Sequence, residues 1–84
     1  MPKFLVLTFR TPNFQPNIVD DHYRFLDGLH AKGQLELAGP FADKSGGAYL
    51  LQVGSIDEAR QIAMQDPVHT SQSSVVTVHE WNAK

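Results

Sequence analysis

Two hydrophobic periods divide the chain. Lys3-Phe4-Leu5-Val6-Leu7-Thr8-Phe9-Arg10 is rich in aromatic and branched residues and stops at Thr11-Pro12-Asn13, so it predicts a strand. Pro16-Asn17 then opens a helix, in which a step of about 100° per residue aligns Ile18, His22, Phe25, Leu26 and Leu29 on one stripe. Lys32 in the last turn and Gly33 just beyond it mark its end. Gln34–Ala38 predicts a second strand stopped by Gly39-Pro40, and Asp43–Gly47 a turn into a third strand, Ala48–Val53. Ser55, three residues before Glu58, has the spacing of a capping box for a second helix that runs to about Gln65. Ser74–Trp81 closes the series as a fourth strand. The order βαββαβ predicts an α+β, ferredoxin-like sandwich over residues 1–84, a single domain with two helices on one face of an antiparallel sheet.

Two positions break the helical pattern. His22 lies in the middle of an apolar stripe, and on the second helix Ala59, Ile62, Ala63 and Asp66 share a face by the same count. Each has an ordinary structural reading: a core histidine with a hydrogen-bonded ring, and an Asp that caps a helix opened by Pro67. Both sit on inward faces of the only two predicted helices, however, so a base and an acid are expected to meet inside the sandwich.

The strands carry a second irregularity. On the first, Phe4 and Val6 oppose Leu5, Leu7 and Phe9; on the last, Val76 and Val78 oppose Val75 and Trp81. A sheet with one face in water should be polar on that side. Two apolar faces predict a partner copy packed on the second one, giving a homodimer or higher homo-oligomer rather than a monomer with scattered surface hydrophobics. Size points the same way, because a chain of 84 residues buries little more than about 60% of its unfolded surface and gains from association.

Composition narrows the chemistry. There are no cysteines, which excludes disulfides and thiolate metal sites and fits an intracellular, cytoplasmic protein. A net charge of −2 offers no basic field for nucleic acid or an anionic membrane, and no stretch approaches the roughly 18 apolar residues of a membrane span. His22, His30, His69 and His79 lack a metal-ligand spacing; Ser71, Ser73 and Ser74 lack a nucleophile elbow; Gly46-Gly47 is followed by no phosphate-binding Lys-Ser/Thr. Neither metal nor covalent catalysis is expected.

A His within the first helix, the segment Gly33–Pro40, a Gly-Gly pair before the third strand, Asp66-Pro67 after the second helix and a terminal Val78-His79-Glu80-Trp81 together resemble the YCII-related proteins. Ala38-Gly39-Pro40 and Asp66-Pro67 carry most of that resemblance, which spans nearly the whole chain. It implies a dimeric α+β barrel and a His-Asp dyad, here His22 and Asp66; no cofactor is expected. The compact Gly39-to-Ala48 connection and Asp66–Thr70 look most like the shorter members, whose relatives include a dehydrochlorinase of a chlorinated hydroxyquinol. The wider superfamily includes muconolactone isomerases. His69 departs from many members, which leaves its role open.

An imidazole with an unperturbed pKa of roughly 6.5 takes and returns protons near neutrality, and a carboxylate on one ring N–H fixes its tautomer. The expected function is a lyase acting on a small aromatic or enolic substrate, in its sharpest form dehydrochlorination of a chlorinated hydroxyquinol. The alternatives are a muconolactone-type isomerase and a non-catalytic ligand-binding or regulatory module. Phe9 and Phe41 are candidates to line the pocket, though plain core residues would look the same. At Gly39-Pro40 the absent Cβ permits close approach of a ligand, and Arg10 and His69 are candidate contacts for an anionic group or else solvated surface.

Overall fold

The computed structural model describes residues 2–84 and shows seven elements: β1 (Lys3–Arg10), α1 (Ile18–Ala31), β2 (Leu35–Pro40), β3 (Gly46–Gln52), α2 (Ile56–Ala63), α3 (Pro67–Thr70) and β4 (Ser74–Trp81). The strands form one antiparallel sheet in the order β2-β3-β1-β4, the arrangement expected of a ferredoxin-like α+β fold. On the face covered by the helices, Phe4, Val6, Tyr49 and Leu51 pack with Leu26 and Leu29 of α1 and Ala59 and Ala63 of α2, every one of them buried. Among the described residues no helix is long and apolar enough to cross a membrane.

The helix ends follow local chemistry. Gly33, at φ +73°, lets its N–H reach the carbonyl of His30 while Gln34 N–H reaches that of Leu29, a doubly bonded left-handed stop for α1. Ser55 Oγ accepts from Glu58 N–H at 3.1 Å and caps α2, and the Glu58 carboxylate reaches back to Gly54 N–H at 3.0 Å.

Three expectations are corrected. Gly39-Pro40 does not stop β2, which continues through both residues. Because β2 is an edge strand, the ladder bond that proline cannot donate is not needed. Gly46-Gly47 belongs to β3 rather than to the turn before it. A Cβ on Gly46 would fall 1.8 Å from the Thr8 carbonyl oxygen, and one on Gly47 2.7 Å from that of Gly39, so the pair is there to let backbones approach. Finally, α2 ends at Ala63, and Asp66 is not on its face. Pro67 disfavours helical backbone in the residue before it, and Asp66 takes an extended conformation (φ −62°, ψ 130°) at the head of the separate helix α3.

The far face of the sheet bears Leu37, Val75, Trp81 and Phe9, which are 67%, 57%, 48% and 43% exposed. The same face carries the half-buried Leu5 and Leu7.

Candidate functional site: a buried His–Asp–Tyr chain

Helix α3 is a single turn: Asp66 Oδ1 accepts from Val68 N–H at 3.0 Å and caps it, with Pro67 at the first helical position. The same oxygen lies 2.8 Å from Nδ1 of His22, brought in by the inward stripe of α1. The other oxygen, Oδ2, accepts from the Tyr49 hydroxyl at 3.0 Å, from the inner face of β3. The cap reading and the dyad reading of Asp66 therefore describe one carboxylate with two roles. It is completely buried, and all its partners are donors, which is the surrounding that an ionised carboxylate inside a protein requires.

Such an acceptor makes Nδ1 the protonated nitrogen of a neutral His22 ring and leaves Nε2 with a free lone pair and no partner among the described residues. Burial, reinforced by the negative charge of Asp66, pushes the Tyr49 phenol far above the usual tyrosine range, so it stays a donor at any physiological pH. The His22 side chain keeps 17% of its surface exposed and borders a cavity of about 70 Å³.

That cavity opens at the end of the sandwich where β1 and β2 finish and β3 and β4 begin. Its wall includes Thr8, Arg10, Phe14, Tyr23, Gly39, Pro40, Gly46, Gly47 and Ser74 beside His22. An enclosed apolar cavity that takes up benzene measures about 150 Å³, so a single ring would enter this one by an edge and leave the rest at the mouth.

Of the residues expected at a site, His22, Arg10, Gly39 and Pro40 border the cavity, and Asp66 stands behind His22. Phe9, Phe41 and His69 do not border it. Phe9 points to the far face of the sheet by strand alternation, and its ring meets that of Phe41 in a tilted contact, 5.7 Å between centroids and 39° between planes. His69 sits on α3, where its backbone N–H bonds the Asp66 carbonyl. Tyr49 and Ser74 were not singled out from the sequence. A tyrosine on an inner strand face must find a partner for its hydroxyl, and that was the available signal for Tyr49. Among the described residues no group of three His, Asp or Glu gathers as for a metal ion.

Comparison with known proteins identifies the family and the fold. The family model of the YCII-related domain matches residues 3–82. The uncharacterized protein YjpA of Bacillus subtilis (strain 168) is 44% identical over 84 residues, covering 100% of this chain and 99% of the relative. In three dimensions the chain is similar to 5-chloro-2-hydroxyhydroquinone dehydrochlorinase (TftG) of Burkholderia phenoliruptrix AC1100, solved with 2,5-dihydroxybenzoquinone. The TM-score is 0.78 at 20% identity, with 98% of this chain and 95% of that one covered. A fold, a match along nearly the whole length and a relative this similar together place the chain in the YCII-related domain family.

Proposed function

We propose that the protein is a cofactor-independent lyase for a small aromatic or enolic ring, with His22 as general acid and base and Asp66 as the group that orients it. The observation that carries this reading is the 2.8 Å contact between His22 Nδ1 and a fully buried carboxylate, on the wall of a cavity. A carboxylate so placed holds Nε2 as the basic nitrogen and stabilises the imidazolium that forms on proton transfer. The arrangement suits a reaction that moves protons within one molecule.

Dehydrochlorination of a chlorinated hydroxyquinol is such a reaction, and the dehydrochlorinase likeness favours it among the eliminations and isomerisations open to the pair. Nε2 would take a hydroxyl proton and return it to the carbon that bears chlorine, making that carbon tetrahedral. Loss of a second hydroxyl proton then expels chloride as two C–O bonds become carbonyls. The sum is substrate to hydroxyquinone plus HCl, with no outside oxidant or reductant. Two copies packed through their exposed sheet faces complete the proposed assembly, since Leu37 and Trp81 border one apolar depression with Leu5 and Leu50, and Val75 is exposed on the same face.

Chloride release from 5-chloro-2-hydroxyhydroquinone tests the reading. The wild-type protein should accelerate it over buffer, and His22→Gln should lose at least about a hundredfold, the usual share of general acid–base catalysis. Undiminished turnover in His22→Gln would refute the assignment. Binding of the ring without turnover would identify a ligand-binding module instead.

A further inference from the structure

Arg10 is the arginine at the cavity, and among the described residues no acidic side chain pairs with it. The other arginines, Arg24 and Arg60, face Asp21 and Asp57 at 3.1 and 3.9 Å, and Lys3 bonds Glu36 at 2.7 Å. Among the described residues no carboxylate lies within 4.0 Å of Arg10. Its guanidinium rests 4.2 Å above the centre of the Phe14 ring, another residue of the cavity wall. That cation–π contact holds the charge beside the cavity wall, and no side-chain hydrogen bond to a described residue occupies its N–H groups.

Directly across the β1–β4 ladder from Arg10 stands Ser74, and it too borders the cavity. Ser74 is 7% exposed, and its hydroxyl makes no hydrogen bond to any described residue. No buried side-chain oxygen or nitrogen among the described residues lacks a partner, so the Ser74 hydroxyl is one that solvent, or a ligand in the cavity, reaches. A guanidinium with no carboxylate partner among the described residues and a hydroxyl open to the cavity, on paired residues of the wall that also holds His22, make a set of donors for a negatively charged oxygen.

We propose that Arg10 and Ser74 form a subsite for an ionised oxygen, a phenolate or carboxylate, carried by the ring whose other part meets His22. The substrate class is thereby narrowed from any small ring to an anionic one. The proposal rests on the reading of this cavity as the substrate site. Arg10 and Ser74 bind and orient the anion; His22 moves the proton. The small cavity fits that division, because a ring entering by an edge leaves a substituent near the exposed Arg10.

Binding of benzoate and of 4-nitrophenolate, each compared with neutral benzamide, is measured through shifts of amide and ring resonances around the cavity at pH 8. The wild-type protein should bind at least one of the anions about tenfold or more tightly than benzamide, as expected for a charge-assisted pair; which anion is preferred tells carboxylate from phenolate. Arg10→Gln should abolish the preference while keeping benzamide affinity, Arg10→Lys should restore part of it, and Ser74→Ala should reduce it. The preference should survive His22→Gln. Equal binding of anion and amide, no binding of either, or a preference retained in Arg10→Gln would overturn the subsite. Loss of the preference in His22→Gln would do the same by placing the anion on the imidazole, and would leave the proton-transfer role of His22 standing. Conversely, a preference that depends on Arg10 in a protein without turnover would uphold the subsite and refute the lyase.

Discussion

Asp66 shows how much one side chain can organise. Its Oδ1 closes the first turn of α3 and holds His22, and its Oδ2 takes the Tyr49 hydroxyl, so removal of any partner leaves a buried carboxylate oxygen short of a donor. Tyr49→Phe deletes only that hydroxyl, and the orphaned Oδ2 should cost about 1–3 kcal/mol of stability at neutral pH. The variant has a second signature. Burial first, then the Asp66 charge, hold the Tyr49 proton in the folded state, whereas the unfolded chain releases it near about pH 10. Above that pH the folded state carries the extra proton, so stability contributed by the neutral phenol is full below about pH 10 and falls as pH rises. Denaturant midpoints from pH 8 to 11.5 should therefore decline more steeply for wild type than for Tyr49→Phe. Parallel curves would show that the phenol is not held as described. Little of this triple contact was legible in the sequence. The inward His22 was, because helical spacing is regular, and so was Asp66 as the cap of a helix opened by Pro67, but its placement on the face of the second helix fails and Tyr49 has no mark beyond its place on an inner strand face.

At the scale of elements, the strands and helices were legible wherever side chains set the pattern, and misread where backbone contact did. β1 and β4 have the bounds expected of them, and α1 its C-terminal stop at Gly33. Gly46 and Gly47 looked like turn residues because glycine so often serves there, yet they are paired in β3, where Thr8 and Gly39 come too near for any Cβ. Gly46→Ala should displace β1 from β3 at the cavity wall and destabilise the protein by about 2 kcal/mol, on the scale of overpacked sites. Thermal unfolding of Gly46→Ala beside Gly28→Ala, where a Cβ meets nothing within 4 Å, provides the comparison. Equal melting temperatures would mean that the close approach is not enforced. Asp43 makes a milder local device in the preceding turn: Ser45 donates to its Oδ1 from both N–H and hydroxyl, which lowers the Asp43 pKa below 3.8.

For the whole molecule the open question of the sequence was what covers the second face of the sheet. Alternation put Leu5, Leu7, Phe9, Val75 and Trp81 there, and the fold leaves Leu37, Val75 and Trp81 about half exposed or more. The surface placed on that face by the edge strand, Leu37 above all, was not legible, because the irregular pairing between Leu35 and Leu37 changes which side of β2 looks outward. If two sheets pack there, Leu37→Asp should halve the mass in sedimentation equilibrium while Tyr23→Asp, at a large residue 46% exposed on α1, should leave it unchanged. A monomeric wild-type protein at high micromolar concentration would contradict the proposed assembly.

The proposed chemistry turns on the state of one imidazole. The ¹⁵N chemical shifts of the His22 ring report which nitrogen carries hydrogen, independently of any substrate. The account predicts, for the neutral ring, a protonated Nδ1 held by Asp66 and a bare Nε2 at the cavity, with that preference lost in Asp66→Ala. A His22 ring protonated at Nε2 in the wild-type protein, or one whose tautomer ignores Asp66, would contradict it.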